Sequence, residues 1–185
     1  MKLYSILVIV FLIHCSVRAQ NGVLANGTVI YLVRHGEKES GNDPVLTTAG
    51  KQRAGDLLKV LKSKKVQHIY VTQFRRTQMT ADSMRIQQNI DTVQYLADTT
   101  GISLLEKMAA HNDFGKTILV IGHSNTIPVL IKKLGVTQPV KPIADNEFDN
   151  LFVVKYRKGK AQLSTLKYGT KPAKATGINT MQPLQ

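Results

Sequence analysis

Cysteine is all but missing from this chain: its one cysteine among 185 residues is Cys15, inside an apolar run at the N-terminus. If that run is removed, the chain has no disulfide, no cysteine metal site and no thiol nucleophile. Tryptophan is absent and aromatics make up only 6% of residues, so no aromatic ladder is available to stack single-stranded bases. Acidic residues are scarce, 12 against 25 Lys plus Arg, giving a net charge of +13. Such a field attracts anions, whether phosphorylated small molecules, nucleic acid or a membrane surface, without choosing among them. The lysines are spread along helices and turns, as in Lys62, Lys64, Lys65, Lys132 and Lys133, the pattern of solvated faces. Repeats and low-complexity segments are also lacking.

The longest apolar run is Leu3–Cys15, shorter than the ~20 residues a spanning helix needs. Met1-Lys2 precedes it, and Val17-Arg18-Ala19 supplies small residues where a signal peptidase cuts. Residues 1–19 therefore read as a secretory signal peptide, with export to the periplasm or the cell exterior and a mature chain of 23 basic against 12 acidic residues. The other reading of the run is an uncleaved anchor. Leu12-Ile13-His14-Cys15 resembles a lipobox, but His14 occupies a place that needs Gly, Ala or Ser, which speaks against lipid attachment at Cys15. No stable membrane insertion is expected after cleavage. A hydrophobic share of 43% and a charged share of 20% suit one globular domain, placed at residues 20–169, and residues 170–185 read as a loose tail.

Short β-branched runs alternate with helical spacing along the domain. Gly27–Val33, Ile69–Val71, Ile90–Leu96 and Thr117–Ile121 read as strands, and Leu151–Tyr156 with Ala161–Tyr168 as a hairpin. Helices are expected after a cap at Thr47 or Thr48, over Arg75–Gln87, over Ile102–Ala110, and along the stripe Ile127, Leu130, Ile131 and Leu134 closed by Gly135. Thr77, Ala81 and Met84 would face inward, as would Leu104, Leu105, Met108 and Ala109. This order predicts a three-layer α/β/α sandwich with a mainly parallel sheet. Ligands of such sheets bind beyond the carboxyl ends of the strands. His35 and His123 each follow an apolar strand there, and Arg75 and Arg76 follow a third. Guanidinium forks grip phosphate oxygens, neutral imidazole is a nucleophile, and Gly36 lets backbone approach a ligand closely. Amides near Ser124 and Asn125, opening the next helix, add possible anion contacts. The set suits phosphoryl transfer to an imidazole nitrogen.

These pieces, in this order, resemble the histidine phosphatase superfamily, also called phosphoglycerate mutase-like. Leu32-Val33-Arg34-His35-Gly36-Glu37 is similar to its Arg-His-Gly signature. Thr72–Ala81 is similar to its Ser-x-x-x-Arg-Ala-x-x-Thr-Ala segment, with Arg76 aligned; Val120-Ile121-Gly122-His123-Ser124 is similar to its Gly-His strand end. Leu46-Thr47 with Gly50 resembles its Leu-Thr-x-x-Gly helix start. The resemblance implies that His35 becomes phosphohistidine, that Arg34 and Arg76 bind the phosphoryl group, and that His123 stabilises the transition state. Ser124 is a further binding candidate. No metal or organic cofactor is implied, and the partner is a phosphorylated substrate rather than nucleic acid.

The acid phosphatase branch places Asp directly after the second histidine, where this chain has Ser124. The mutase branch takes a Glu from an insertion that has no counterpart between Arg76 and His123. Glu37, Asp98 and Glu147 are the candidate general acids, with Asp149 beside the last. The compact length favours a phosphomonoesterase; the Asp43-Pro44 before Leu46-Thr47 resembles the short branch of protein phosphohistidine phosphatases. A non-catalytic phosphate-binding module on the same fold is the reading from another class, and a nucleic-acid binder ranks last. Nothing in the sequence names the substrate or sets an oligomeric state.

Overall fold

The computed structural model describes residues 25–169; the expected signal peptide and the tail from residue 170 lie outside the described residues. Six strands form one sheet: β1 Val29–Arg34, β2 His68–Thr72, β3 Thr92–Tyr95, β4 Thr117–Gly122, β5 Asn150–Arg157 and β6 Lys160–Lys167. Their spatial order is β3-β2-β4-β1-β5-β6. The first four are parallel, whereas β5 runs antiparallel to β1 and β6 antiparallel to β5. Four helices connect them: α1 Thr48–Leu61, α2 Arg75–Gln88, α3 Ile102–Ala110 and α4 Ile127–Lys133.

The strand runs are apolar without interruption because both faces of the sheet are covered. In β1, Tyr31 and Val33 pack with Leu57, Leu61, Ala81 and Met84 of α1 and α2. Ile30 and Leu32 point the other way, into a cluster with Leu104, Met108, Ile127 and Leu130 of α3 and α4. The expected three layers are present. Thr47 is the cap of α1, its hydroxyl accepting from Gly50 N at 3.1 Å. Leu104 and Met108 face inward as expected, but Ala109 is exposed, because a nine-residue helix at the margin of the sheet buries only a narrow stripe.

The chain leaves β1 toward β2 on one side of the sheet and leaves β4 toward β5 on the other. The C-terminal ends of β1 and β4, which are neighbours, are thus the point where the winding reverses and a crevice opens. Arg34 pairs in register with Gly122, and His35 N donates to the Gly122 carbonyl at 3.0 Å. His35 and His123, 88 positions apart in sequence, are set side by side by strand pairing. Gly50 allows α1 to start against the same corner: a Cβ there would collide with the Glu37 carbonyl, and one on Gly36 would meet Gly50 O at 2.8 Å.

Candidate active site

His35 is 3% exposed. Its Nδ1 lies 2.7 Å from the Gly36 carbonyl, which only accepts, so Nδ1 carries the hydrogen and Nε2 keeps its lone pair. Burial, with His123, Arg34 and Arg76 nearby, pushes its pKa down to about 3 despite that bond, so the ring is neutral at ordinary pH. The ring of His123 is 5.3 Å away, edge to face. Burial, then Arg76 and Arg34, push the His123 pKa down to about 4.

His123 is set by a file of hydroxyls. Its Nε2 is 3.1 Å from Thr72 Oγ1, which is 3.0 Å from Thr77 Oγ1, which donates to the Phe74 carbonyl at 2.8 Å. Both threonines are fully buried. With the Thr77 hydrogen committed to a carbonyl, the Thr72 hydroxyl donates to Thr77 Oγ1 and accepts from His123 Nε2, which puts the imidazole hydrogen on Nε2 and leaves Nδ1 as an acceptor. That Nδ1 lies 3.5 Å from Arg76 Nη2. Thr80 ties the next corner, accepting from Gly36 N at 2.9 Å and donating to the Arg76 carbonyl at 2.7 Å. Replacing Thr72 by Val is expected to cut kcat about tenfold with little change in KM, since it leaves Nε2 buried without a partner. Thr72→Ser restores the rate; steady-state kinetics of the three forms checks this.

Arg34 is 6% exposed. Its Nη1 donates to the carbonyls of Ala144, Asp145 and Glu147 at 2.9, 2.9 and 3.3 Å, which fixes the plane of the fork. The Phe148 ring lies 4.2 Å from its Cζ. Arg76 is held similarly, against the Phe74 ring at 4.3 Å and near Asp43, 3.7 Å from its Nη1. In both arginines Nε is buried without an acceptor among the described residues. A buried donor without a partner is costly unless an oxygen ligand satisfies it. Two guanidinium forks beside the imidazoles, each with a buried donor still unpaired, suit a tetrahedral oxyanion.

The structure thus brings Arg34, His35, Arg76 and His123 together. Arg75 is exposed beside them, its backbone N–H donating to Asp43 Oδ1 at 3.0 Å. Ser124 lies in the turn before α4, which starts only at Ile127, so the helix does not open at Ser124 as expected. The candidate acids are placed elsewhere. Glu37 is gripped bidentately by Arg53, at 2.8 Å from Nε and 2.6 Å from Nη2. Asp98 takes donors from Thr100, Gly101 and Ser103 at the start of α3; these hold its carboxyl below the usual range although burial works the other way. Glu147 accepts from Ala144 N and Asn150 Nδ2 while its carbonyl holds Arg34, and Asp149 pairs with Lys167 at 2.7 Å. Sequence reasoning missed Thr72, Thr77, Phe74, Phe148 and Asp145; only Thr72, Phe74 and Thr77 lay inside a motif. Among the described residues no group of three or more His, Asp or Glu is arranged to hold a metal ion.

A six-stranded mixed sheet with this cluster at its switch point has the phosphoglycerate mutase-like histidine phosphatase fold. The family model of the histidine phosphatase superfamily (branch 1) matches residues 30–99, a span that holds Arg34, His35 and Arg76. The resemblance read from the motifs is thereby shown. Among solved structures, the alpha-ribazole phosphatase from Shigella flexneri is similar, with a TM-score of 0.60 and 14% identity over 75% of this chain and 96% of that one. A mycobacterial glucosyl-3-phosphoglycerate phosphatase, solved with VO3, gives a TM-score of 0.58 and 12% identity over 75% and 98%. A protein provisionally described as phosphohistidine phosphatase SixA, from Agrobacterium tumefaciens, gives 0.53 and 17% over 78% and 99%. At such identities the likeness is one of fold. No curated protein matches the chain by sequence.

Proposed function

We propose that this chain is an exported, metal-independent phosphatase that works through a phosphohistidine on His35. The observation that carries the reading is the pair of buried guanidinium groups, each with an Nε still unpaired among the described residues, beside a neutral imidazole whose Nε2 lone pair is free. Nε2 attacks phosphorus, the N–P bond forms as the P–O bond to the leaving group breaks, and the leaving oxygen takes a proton from solvent water. Arg34 and Arg76 spread the charge of the transferring group, and His123, through its Nδ1, orients Arg76 beside it. Water then attacks phosphorus, the N–P bond breaks and His35 Nε2 regains its lone pair. Export rests on residues 1–19, and N-terminal sequencing of the secreted protein checks it.

The carboxylates near the cluster favour a second reading within the same chemistry. Glu37 and Asp98 are bound to other partners, and Ser124 follows His123. A site without a positioned acid suits leaving groups that need little help from a proton: aryl phosphates and the N–P bond of phosphohistidine. A general acid is typically worth 10²–10⁴-fold, so aryl phosphates are expected to turn over at least about 10²-fold faster than alkyl phosphates. Phosphate release from both, measured with a metal chelator present, tests the function and the ranking together. No release from either substrate overturns the phosphatase reading in favour of a phosphate-binding module. Equal rates would mean that a proton donor operates, with Asp145, whose carbonyl is already on Arg34, the first residue to replace.

A further inference from the structure

The lysines that are scattered through the sequence are gathered by the fold. Every parallel strand begins at the end of the sheet opposite the active site: Val29 of β1 stands beside Thr117 of β4, and His68 of β2 beside Ile118. Strand β5 runs the other way, so Arg157 reaches that end, and the turn into β6 adds Lys158 and Lys160. The connection from α1 into β2 carries Lys62, Lys64 and Lys65 to the same end. All six are exposed, and none makes an ion pair among the described residues. Helix α4, returning from the top of β4, brings Lys132 and Lys133 back toward it.

Acids are few at that end. Asp113 is buried and already paired with Lys116, which leaves Asp91 in the connection before β3. Asp43, Asp98, Asp145, Glu147 and Asp149 all lie in connections at the active-site end. The domain is electrically polarised along its strands, positive at the base. The chain also enters the fold at the base: Gly27 N donates to the Tyr156 carbonyl, and Asn26 Oδ1 accepts from Gly159 N.

We propose that this basic base is a docking face for an anionic lipid surface, on which the domain sits with its active site turned away from the bilayer. An exported domain, the reading on which this rests, meets lipid headgroups at the cell envelope, and the scarcity of aromatics removes the stacking platform a single strand would use. Each Lys or Arg near an anionic bilayer is worth about fivefold in affinity, an effect confined to a Debye length.

The informative quantity is the preference for anionic over neutral vesicles. The mature chain from Gln20 is sedimented with phosphatidylcholine vesicles, with and without phosphatidylglycerol, at low and high salt. The expected result is a preference of at least about tenfold at low salt that shrinks as salt rises. Reversing Lys62, Lys64 and Lys65 to Glu, or Arg157, Lys158 and Lys160 to Glu, removes most of it and leaves release of phosphate from a soluble aryl phosphate unchanged. The salt titration of the unaltered chain stands on its own if a variant misfolds. Equal partitioning into both vesicle types, an anionic preference that survives both reversals, or tighter binding to a DNA duplex than to the anionic vesicles overturns the proposal.

Discussion

Replacing His35 by Ala is expected to lower turnover of an aryl phosphomonoester by on the order of 10⁴-fold or more, to the limit of detection. Of the two histidines only His35 has an Nε2 lone pair left free by its own backbone bond; Nε2 of His123 is engaged by Thr72. Inorganic phosphate should still bind to the variant, because the arginine forks are held by loop carbonyls and aromatic rings rather than by the imidazole. The pH profile of the unaltered protein has a definite sign. Protonation consumes the lone pair, and the pKa values of His35 and His123 are pushed down to about 3 and about 4. The histidines therefore impose no loss of kcat/KM between pH 5 and 8; the loss comes as pH falls through about 4 and then 3. An acid limb centred near pH 6.5 with a substrate that is already fully ionised would mean that the imidazoles are charged in the free protein, contrary to their burial. Residual turnover in His35→Ala would transfer the nucleophile to another group and end the phosphohistidine reading.

Strand β4 could be read from its residues because Thr-Ile-Leu-Val-Ile is apolar on both faces, the mark of a strand covered from two sides. Arg34, His35 and His123 were legible for a related reason: a strand that ends in a polar or charged residue at a switch point delivers that residue to the crevice whatever the loops do. The loops were not legible. The grip of residues 144–147 on Arg34 spans more than a hundred positions and is made by backbone carbonyls, which carry no sequence signal. Glu37 looked available as an acid because its partner Arg53 lies 16 positions on, in a helix whose orientation depends on the close approach of Gly50. The basic base was hidden in a similar way. Lys62–Lys65 and Arg157–Lys160 each look like an ordinary charged turn, and only the antiparallel placement of β5 puts them at one end. Local pattern reports burial; it does not report which solvated turns become neighbours.

A larger effect on stability is expected away from the active site, at Asp113. Its carboxylate is 0% exposed and lies under the base of the sheet. It accepts from the Tyr70 hydroxyl at 2.5 Å, from His68 Nδ1 at 2.8 Å and from Lys116 Nζ at 3.0 Å. Burial alone would raise its pKa, but those three donors outweigh it and hold the group below its ordinary value. Asp113→Ala strands a fully buried tyrosine hydroxyl and two cationic or dipolar donors, at a cost of about 3–5 kcal/mol. At roughly 2–4 °C per kcal/mol for a chain of this size, the melting temperature should fall by about 10 °C. Asp113→Asn keeps the shape and one acceptor but turns an NH₂ toward donors, and about 1–3 kcal/mol is lost. The dependence on pH separates charge from packing. A carboxyl whose folded pKa is depressed contributes stability above its unfolded value of about 3.9, and that contribution is lost as pH falls through the lower folded value. The gap in melting temperature between the unaltered chain and Asp113→Asn should therefore be full at pH 6 to 7 and close below about pH 4. A gap constant from pH 7 to pH 3 would show that the site is held by shape and neutral hydrogen bonds, with the carboxylate charge contributing nothing to the fold.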